Sequence, residues 1–241
     1  MTLERVQKIL ASLGYGSRRS CEEYISAGRV RVNGKVIKLG DKADINADKI
    51  ELDHKQIKDT IEKIYIALYK PRKYLSVIDD NDDRPNVKDI IGINKHLFPI
   101  GRLDFDSEGL ILLTNDGALA NQLTHPRYGH EKEYQVQVGA KPDQEQLAIW
   151  RRGVVLEDGY RTAPVQLDIV SSANDTAWLK IVMKEGRKRQ IREIGSRVGL
   201  PVFRIKRTRI GNIKLGKLKA GEWRYLTKQE ISELNKYKTA E

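Results

Sequence analysis

The stretch that decides the fold is GRLDFDSEGLILLTNDG, residues 101–117. Its centre, residues 110–113, is an uninterrupted apolar run bounded by turn-forming residues, which is typical of a strand buried on both faces. Asp104 and Asp106 lie in the turn-rich part just before that run. We therefore expect both carboxylates at the edge of the deepest part of a sheet, where desolvation can tune a nucleophile, although aspartate is also an ordinary residue of surface turns.

Size and composition limit the class of protein. The 241 residues suffice for a small module and a larger catalytic domain, and a hydrophobic content of 39% allows a real core. The single cysteine, Cys21, cannot form an internal disulfide, and the four histidines are scattered, so we expect no metal site. The chain begins without an apolar signal region and has no run of transmembrane length, so we expect a cytoplasmic protein, and a monomer.

The distribution of charge points to nucleic acid. The net charge is +11, and residues 184–225 alone hold 14 Lys/Arg against 3 Asp/Glu. Residues 1–43 hold another 9 Lys/Arg against 4 Asp/Glu, and the rest of the chain is slightly acidic. A merely solvated surface would spread its charge more evenly, so this concentration favours phosphate binding. An anionic membrane surface is the less favoured partner.

Residues 3–53 have the pattern of a small helical module. Apolar residues at helical spacing predict a first helix, from Leu3 to Leu13. Ser17 is the predicted N-cap of a second helix over residues 18–27, and Asn33-Gly34 between apolar residues predicts a β-hairpin. The cations around this core that we expect to bind phosphate are Arg18, Arg19, Arg29, Arg31 and Lys35.

The remaining chain predicts an α+β fold. The polar residues 54–62 predict a linker, which divides the chain into a module of residues 1–60 and a catalytic domain of residues 61–241. Strands that follow one another without intervening helices favour a mostly antiparallel sheet with flanking helices. A helix predicted over residues 187–198 places Arg192 at the edge of its apolar stripe, where its stem can be buried while its head reaches a site. The acidic residues 79–83 lack the glycine and closing glutamate of a calcium loop and predict a solvated loop.

These motifs resemble two known families. The order of helices and hairpin over residues 3–53 resembles the alpha-L RNA-binding module. The segments GRLD (101–104), LTNDG (113–117), EKEY (131–134) and EGRKRQIR (185–192) together resemble the bacterial rRNA pseudouridine synthases. The resemblance extends over nearly the whole chain and is strongest to the large-subunit rRNA branch.

The resemblance implies an isomerase that converts one uridine of ribosomal RNA to pseudouridine. The bond from uracil nitrogen to ribose breaks, the base turns while it is held in the site, and a carbon–carbon glycosidic bond forms. The resemblance implies no metal or redox cofactor. It implies ribosomal RNA or an assembling ribosomal subunit as the partner.

The resemblance also implies roles for single residues. Asp104 matches the catalytic aspartate, which attacks either the sugar or the uracil ring. Tyr134 matches the tyrosine that stacks on the uracil, and Arg192 the arginine that pairs with Asp104. The residues expected to hold the target base or its phosphates are Arg102, Arg187, Arg189 and Ile191.

Two other functions stay open on the residues alone. A non-catalytic rRNA-binding or ribosome-assembly protein would keep the basic regions without needing Asp104, Tyr134 and Arg192 together. A glycoside hydrolase could use Asp104 and Asp106, although the basic charge and an aromatic content of 7% disfavour it. The resemblance gives Asp106 no partner. It also places Lys73 where a glycine is common, so the turn after Pro71 is expected to differ.

Overall fold

The computed structural model describes residues 3–57, 62–77, 82–93, 95–173 and 175–236. The chain divides into two compact units. The first comprises Met1–Ile64 with two short returns, Ile93–Phe98 and Thr114–Gly117, and the second comprises Tyr65–Gly92, Pro99–Leu113 and Ala118–Glu241. In the described ranges, no helix is long and apolar enough to cross a membrane.

In the residues that the structure describes, the first unit contains two helices and six short strands. They are β1 (Glu4–Arg5), α1 (Val6–Ser12), α2 (Arg18–Ser26), β2 (Val30–Val32), β3 (Lys35–Val36), β4 (Lys42–Ala43), β5 (Ile50–Leu52) and β6 (Lys55–Gln56). β1 pairs with β4, and the other four strands form an antiparallel sheet in the order β3-β2-β5-β6. Apolar side chains of both helices and of this sheet form one core, in which Cys21 is fully buried.

Local signals in the first unit were informative, with two exceptions. The Ser17 hydroxyl accepts a hydrogen bond from the Ser20 amide at 3.1 Å, which confirms the predicted cap. The Asn33-Gly34 hairpin is also confirmed. The predicted start of the first helix was wrong. Leu3 is 61% exposed, and residues 4–5 pair as a strand before α1 begins. The linker was predicted too early, because Lys55–Gln56 form β6, whereas residues 58–61 lie outside the described ranges.

The second unit is built on one large sheet. Its strands are β7 (Tyr65–Lys70), β8 (Phe98–Ile100), β9 (Glu108–Thr114), β10 (Lys132–Val138), β11 (Gln166–Ala173), β12 (Thr176–Met183), β13 (Val202–Ile210), β14 (Ile213–Lys214) and β15 (Trp223–Tyr225). Its helices are α3 (Val87–Ile91), α4 (Gly117–Thr124), α5 (Gln144–Arg152), α6 (Gln190–Arg197) and α7 (Lys228–Lys236). The strand order is β11-β12-β10-β13-β9-β7-β15, with β14 on β13 and β8 on β9.

The pairing directions confirm the expected fold class. The neighbours β11–β12, β12–β10, β10–β13, β13–β14 and β15–β7 are antiparallel, whereas β13 and β9 run parallel. Helices α5 and α6 share a core with β10 and β12, and helices α4 and α7 share a second core with β7 and β9. The α+β architecture with a mostly antiparallel sheet is therefore confirmed.

Strand β9 is the centre of this unit. Every residue of β9 is buried, as the apolar run predicted. Gly109 has a φ of +106°, and a Cβ added there would lie 2.3 Å from the carbonyl oxygen of Arg207 on β13. Only glycine permits this close approach of two backbones. The loop over residues 101–107 therefore enters the sheet at a fixed position.

Helix α6 is shorter than the sequence predicted. It begins at Gln190 because Arg189, the residue before it, has a left-handed backbone with φ of +55°. Arg187 and Arg189 therefore lie in the loop that leads into the helix. The predicted acidic loop falls partly on residues 78–81, which are outside the described ranges.

Candidate active site

Asp104 lies in the loop between β8 and β9. The Ser107 amide donates to the Asp104 carbonyl oxygen at 3.0 Å, which closes a turn immediately before the buried strand. The Asp104 side chain is 32% exposed, so its carboxylate is accessible while its backbone is fixed. This combination suits a reactive group, because a rigid strand limits its movement.

Arg192, on α6, is brought to Asp104. The distance from Arg192 Nε to Asp104 Oδ2 is 3.9 Å, and only 15% of the arginine side chain is exposed. Its Nη1 donates to the Val202 carbonyl at 3.1 Å, which holds the guanidinium from the side of β13. Burial lowers the pKa of Arg192, nearby Arg189 lowers it further and Asp104 opposes both effects. Since an arginine stays protonated in proteins, Asp104 faces a permanent cation.

Tyr134 and Ile191 lie in the core next to this pair. Tyr134 is 6% exposed and Ile191 is 8% exposed, and both belong to the cluster that includes Leu103, the neighbour of Asp104. In the sheet Tyr134 lies opposite Arg207 of β13. Three elements, β10, α6 and the loop before β9, thus contribute to the same side of the unit.

Asp106 has a partner that the sequence did not reveal. The amine of Lys73 lies 2.6 Å from Asp106 Oδ1, and this contact lowers the pKa of the Asp106 carboxyl. Lys73 has a φ of +65°, the backbone that glycine favours. Its amide donates to the Phe105 carbonyl at 2.7 Å. The lysine therefore adopts a backbone conformation that suits glycine.

Lys70 is a buried cation that sequence reasoning did not single out. It is fully buried, and its amine donates to the carbonyl oxygens of Pro71 at 2.8 Å and Tyr74 at 2.7 Å. Burial lowers its pKa to about 8, an effect that the negative charges of Asp104 and Asp106 oppose. A lysine that ends an otherwise apolar strand was the available signal in the sequence.

Arg207 is another buried cation beside the loop that carries Asp104. It is 3% exposed and donates from Nε to the Leu110 carbonyl at 2.7 Å and from Nη1 to the Arg102 carbonyl at 3.3 Å. One guanidinium therefore joins the two ends of the loop that carries Asp104. The Arg102 side chain itself is exposed. No sequence signal identified Arg207, since it is one of many cations in the basic strand.

The loop before α6 is stabilised by Glu185. Its carboxylate accepts hydrogen bonds from the Gln190 amide side chain, from the Ala163 backbone at 3.0 Å and from the Tyr160 hydroxyl at 2.9 Å. Arg187 lies over the Tyr160 ring, 4.0 Å from its centre, and pairs with Asp158. Since Gln190 is the first residue of α6, these contacts fix the start of the helix that carries Arg192.

Of the five cations predicted to bind phosphate in the first unit, Arg31 is half-buried and the other four are exposed. Arg29 makes a two-pronged contact with Asp53 at 2.9 and 2.6 Å and lies 4.5 Å from the centre of the Tyr24 ring. Arg31 donates to the Gly34 carbonyl at 3.1 Å. Arg18 and Arg19 are the first residues of α2, and both are exposed.

Comparison with known proteins identifies the class to which this fold and site belong. Residues 64–196 match the family model described as RNA pseudouridylate synthase, and residues 4–50 match the S4 domain. The chain belongs to the RNA pseudouridine synthase family and is therefore an isomerase, which decides against a purely RNA-binding protein and against a glycoside hydrolase. The module predicted before it is the S4 RNA-binding domain.

Particular relatives resemble nearly the whole chain. The chain is 39% identical to ribosomal large subunit pseudouridine synthase B of Bacillus subtilis (strain 168), with 96% of each protein covered. It is 42% identical to an RNA pseudouridine synthase of Aquifex aeolicus (strain VF5), over 96% of this chain and 94% of that protein. A solved structure described as a pseudouridylate synthase matches with a TM-score of 0.68 and 29% identity, over 95% of this chain and 99% of the other.

Proposed function

We propose that this enzyme isomerises a uridine of large-subunit ribosomal RNA to pseudouridine, with Asp104 as the catalytic carboxylate. The observation that carries the assignment of the residue is the ion pair between Asp104 and Arg192. The relatives named as acting on the ribosomal large subunit, the S4 domain and the net charge of +11 support the substrate class. We expect the enzyme to act as a monomer in the cytoplasm, on free rRNA or on an assembling subunit.

The reaction balances within the uridine itself. The N1–C1′ bond breaks, the C5–C1′ bond forms, and the proton that leaves C5 is matched by one gained at N1. An ionised carboxylate promotes this either by attacking an electrophilic carbon or by stabilising positive charge on the sugar. In our proposal Arg192, whose Nε lies 3.9 Å from Asp104 Oδ2, places a permanent positive charge beside the carboxylate and directs it.

The base must leave its stack to reach Asp104, which lies in the loop that leads into β9. In our proposal Tyr134 stacks on the extruded uracil and Ile191 packs against it, which is consistent with their shared core beside Leu103. Arg102 and Arg189 are both exposed and are assigned to phosphates or to the space left by the base. Arg187 already pairs with Asp158. To bind RNA, it must leave this exposed ion pair and bind a phosphate instead.

The positions of the cations suggest different roles for the two domains in our proposal. We assign residues 1–60 to salt-sensitive affinity for the RNA backbone, through Arg18, Arg19 and the hairpin cations. The catalytic domain, residues 61–241, then selects and converts the uridine.

The decisive test of the catalytic residue compares Asp104→Asn with Asp106→Asn. The substrate is transcribed, unmodified large-subunit ribosomal RNA with tritium at uridine C5, because bond formation at C5 releases the label. We expect Asp104→Asn to lower the rate about 10⁴-fold or more while RNA binding and thermal unfolding stay unchanged. Asp106→Asn should retain most of the activity. Wild-type turnover by Asp104→Asn would refute the assignment.

The substrate class has its own test. Transcribed small-subunit RNA should release little label under the same conditions, and a deletion strain should lack one pseudouridine or a few in the large-subunit RNA. An unchanged modification pattern in that strain would contradict the proposed substrate.

A further inference from the structure

The turn over residues 71–74 meets the loop that carries Asp104. The two are joined by the hydrogen bond from the Lys73 amide to the Phe105 carbonyl, at 2.7 Å. Lys73 has a φ of +65°, a conformation that costs free energy for a side chain other than glycine. The hydrogen bond needs only the backbone, which glycine would supply without that cost. The fold of the turn therefore does not account for the lysine side chain.

The Lys73 amine stands at the exposed side of the site. It lies 2.6 Å from Asp106 Oδ1 and 5.4 Å from the centre of the Phe105 ring. The Lys73 side chain is 65% exposed and that of Asp106 is 44% exposed. Water screens an ion pair of this kind, so it contributes little to stability. Lys73 can therefore exchange Asp106 for another anion at small cost.

Other cations converge on the same place. The Arg84 guanidinium lies 5.5 Å from the centre of the Phe105 ring. Its side chain is 57% exposed and pairs with Asp82 at 2.6 Å, so this exposed pair also has to exchange when Arg84 binds another anion. The pKa of Asp106 is lowered first by Lys73 and also by the charges of Arg192 and Arg72, which puts both arginines within electrostatic reach. Lys73, Arg84 and Arg72 thus lie near Phe105 and Asp106, the two residues that follow Asp104.

We propose that Lys73, Arg84 and Arg72 form a phosphate-binding site for the RNA strand beside the reacting uridine. In the complex Lys73 leaves Asp106 and binds a backbone phosphate. The proposal rests on the proposed function, because the RNA substrate supplies the phosphate. Lysine binds phosphate as a flexible point charge, and contacts of this kind fix the position of a strand without reading its sequence.

The variant Lys73→Gly tests the proposal without disturbing the fold, because glycine adopts the same φ and keeps the amide bond to Phe105. Label release from the tritiated large-subunit transcript is measured over a series of salt concentrations. We expect KM to rise about 3- to 10-fold while kcat stays within about twofold. The slope of log(kcat/KM) against log[salt] should become less steep by about 0.7, and the thermal midpoint should stay the same or rise.

The matched control is Lys180→Ala. Lys180 is 45% exposed and pairs with Asp168 at 3.5 Å on the neighbouring strand, so it is also an exposed lysine with a carboxylate partner. The Lys180→Ala variant should have the KM and the salt slope of the wild type.

Two results would overturn the phosphate site. The first is that Lys73→Gly has the KM and the salt slope of the wild type. The second is that Lys73→Gly loses kcat at unchanged KM, which would make Lys73 a positioning residue for Asp106. Failure of the proposed function is distinguishable, since the wild-type enzyme would then release no label. In that case filter binding of the same transcript, with its salt slope, still decides whether Lys73 binds phosphate.

Discussion

The first unit exposes most of its predicted phosphate-binding cations, whereas the second unit buries two cations beside the loop that carries Asp104. Arg29 and Asp53 form an ion pair with side chains that are 44% and 50% exposed. Arg207 and Lys70 are almost completely buried and donate to main-chain carbonyl oxygens. Exposed cations exchange partners readily and give salt-dependent affinity, whereas a buried cation bonded to the backbone fixes geometry. Under the proposed function, RNA binding and chemistry therefore use the same residue types under different solvation.

The largest effect that separates the two units should come from Arg192. Replacing it by methionine leaves Asp104 without its cation, and we expect kcat to fall about 10²- to 10³-fold with little change in KM. Arg192→Lys should restore only part of the rate, because an ammonium cannot reach Asp104 and the Val202 carbonyl together. Arg29→Met, in the first unit, should leave kcat unchanged. Equal losses of kcat in Arg192→Met and Arg29→Met would break the comparison.

Two glycines, one in each unit, differ in how closely other atoms pack around them. Gly109 and Gly34 both have positive φ, but a Cβ at Gly109 meets the Arg207 backbone at 2.3 Å, whereas no atom lies within 4 Å of a Cβ at Gly34. Gly109→Ala should lower the free energy of unfolding by about 3 kcal/mol or more, and Gly34→Ala by about 1 kcal/mol. Urea unfolding of both variants measures the difference. A similar cost at both positions would mean that strand β13 moves aside.

The pH dependence of the rate tests the buried lysine. Burial lowers the pKa of Lys70 to about 8, so its positive charge near Asp104 is present below that pH and is lost above it. We expect kcat to fall by up to about tenfold as the pH rises from 7 to 9. Lys70→Arg keeps its charge over this range and should flatten the alkaline limb, provided that its thermal midpoint shows a folded protein. If the wild type and Lys70→Arg show the same alkaline limb, the loss of kcat belongs to a group other than Lys70.

The smallest effect should come from the exposed arginines of α2. The double variant Arg18→Gln/Arg19→Gln should weaken RNA binding several-fold and make the slope of log affinity against log[salt] less steep by about 1.4. Its kcat at saturating RNA should match that of the wild type. Filter binding at several salt concentrations measures the slope, and an unchanged slope would exclude these two arginines from the interface.

Short-range patterns predicted much of the fold. The Ser17 cap, the Asn33-Gly34 hairpin and the buried strand β9 depend on neighbouring residues, and all three are confirmed. The start of α6 was missed because the left-handed Arg189 precedes it. In the same loop as Arg189, Glu185 contacts Tyr160 and Ala163, which lie more than 20 residues away in the chain. Short-range patterns do not reveal such contacts.

The sequence by itself determined the class of fold, the catalytic family and the residues Asp104, Tyr134 and Arg192 as candidates, because local patterns and motif spacing are written along the chain. The tertiary structure decided which side chains meet. It brought Arg192 to Asp104, paired Asp106 with Lys73, and placed Lys70 and Arg207 near the loop that carries Asp104. The physical reason is that the pairing of β13 with β9 and the turn after β7 bring together residues that are far apart in sequence, and burial then gives ordinary cations their fixed partners.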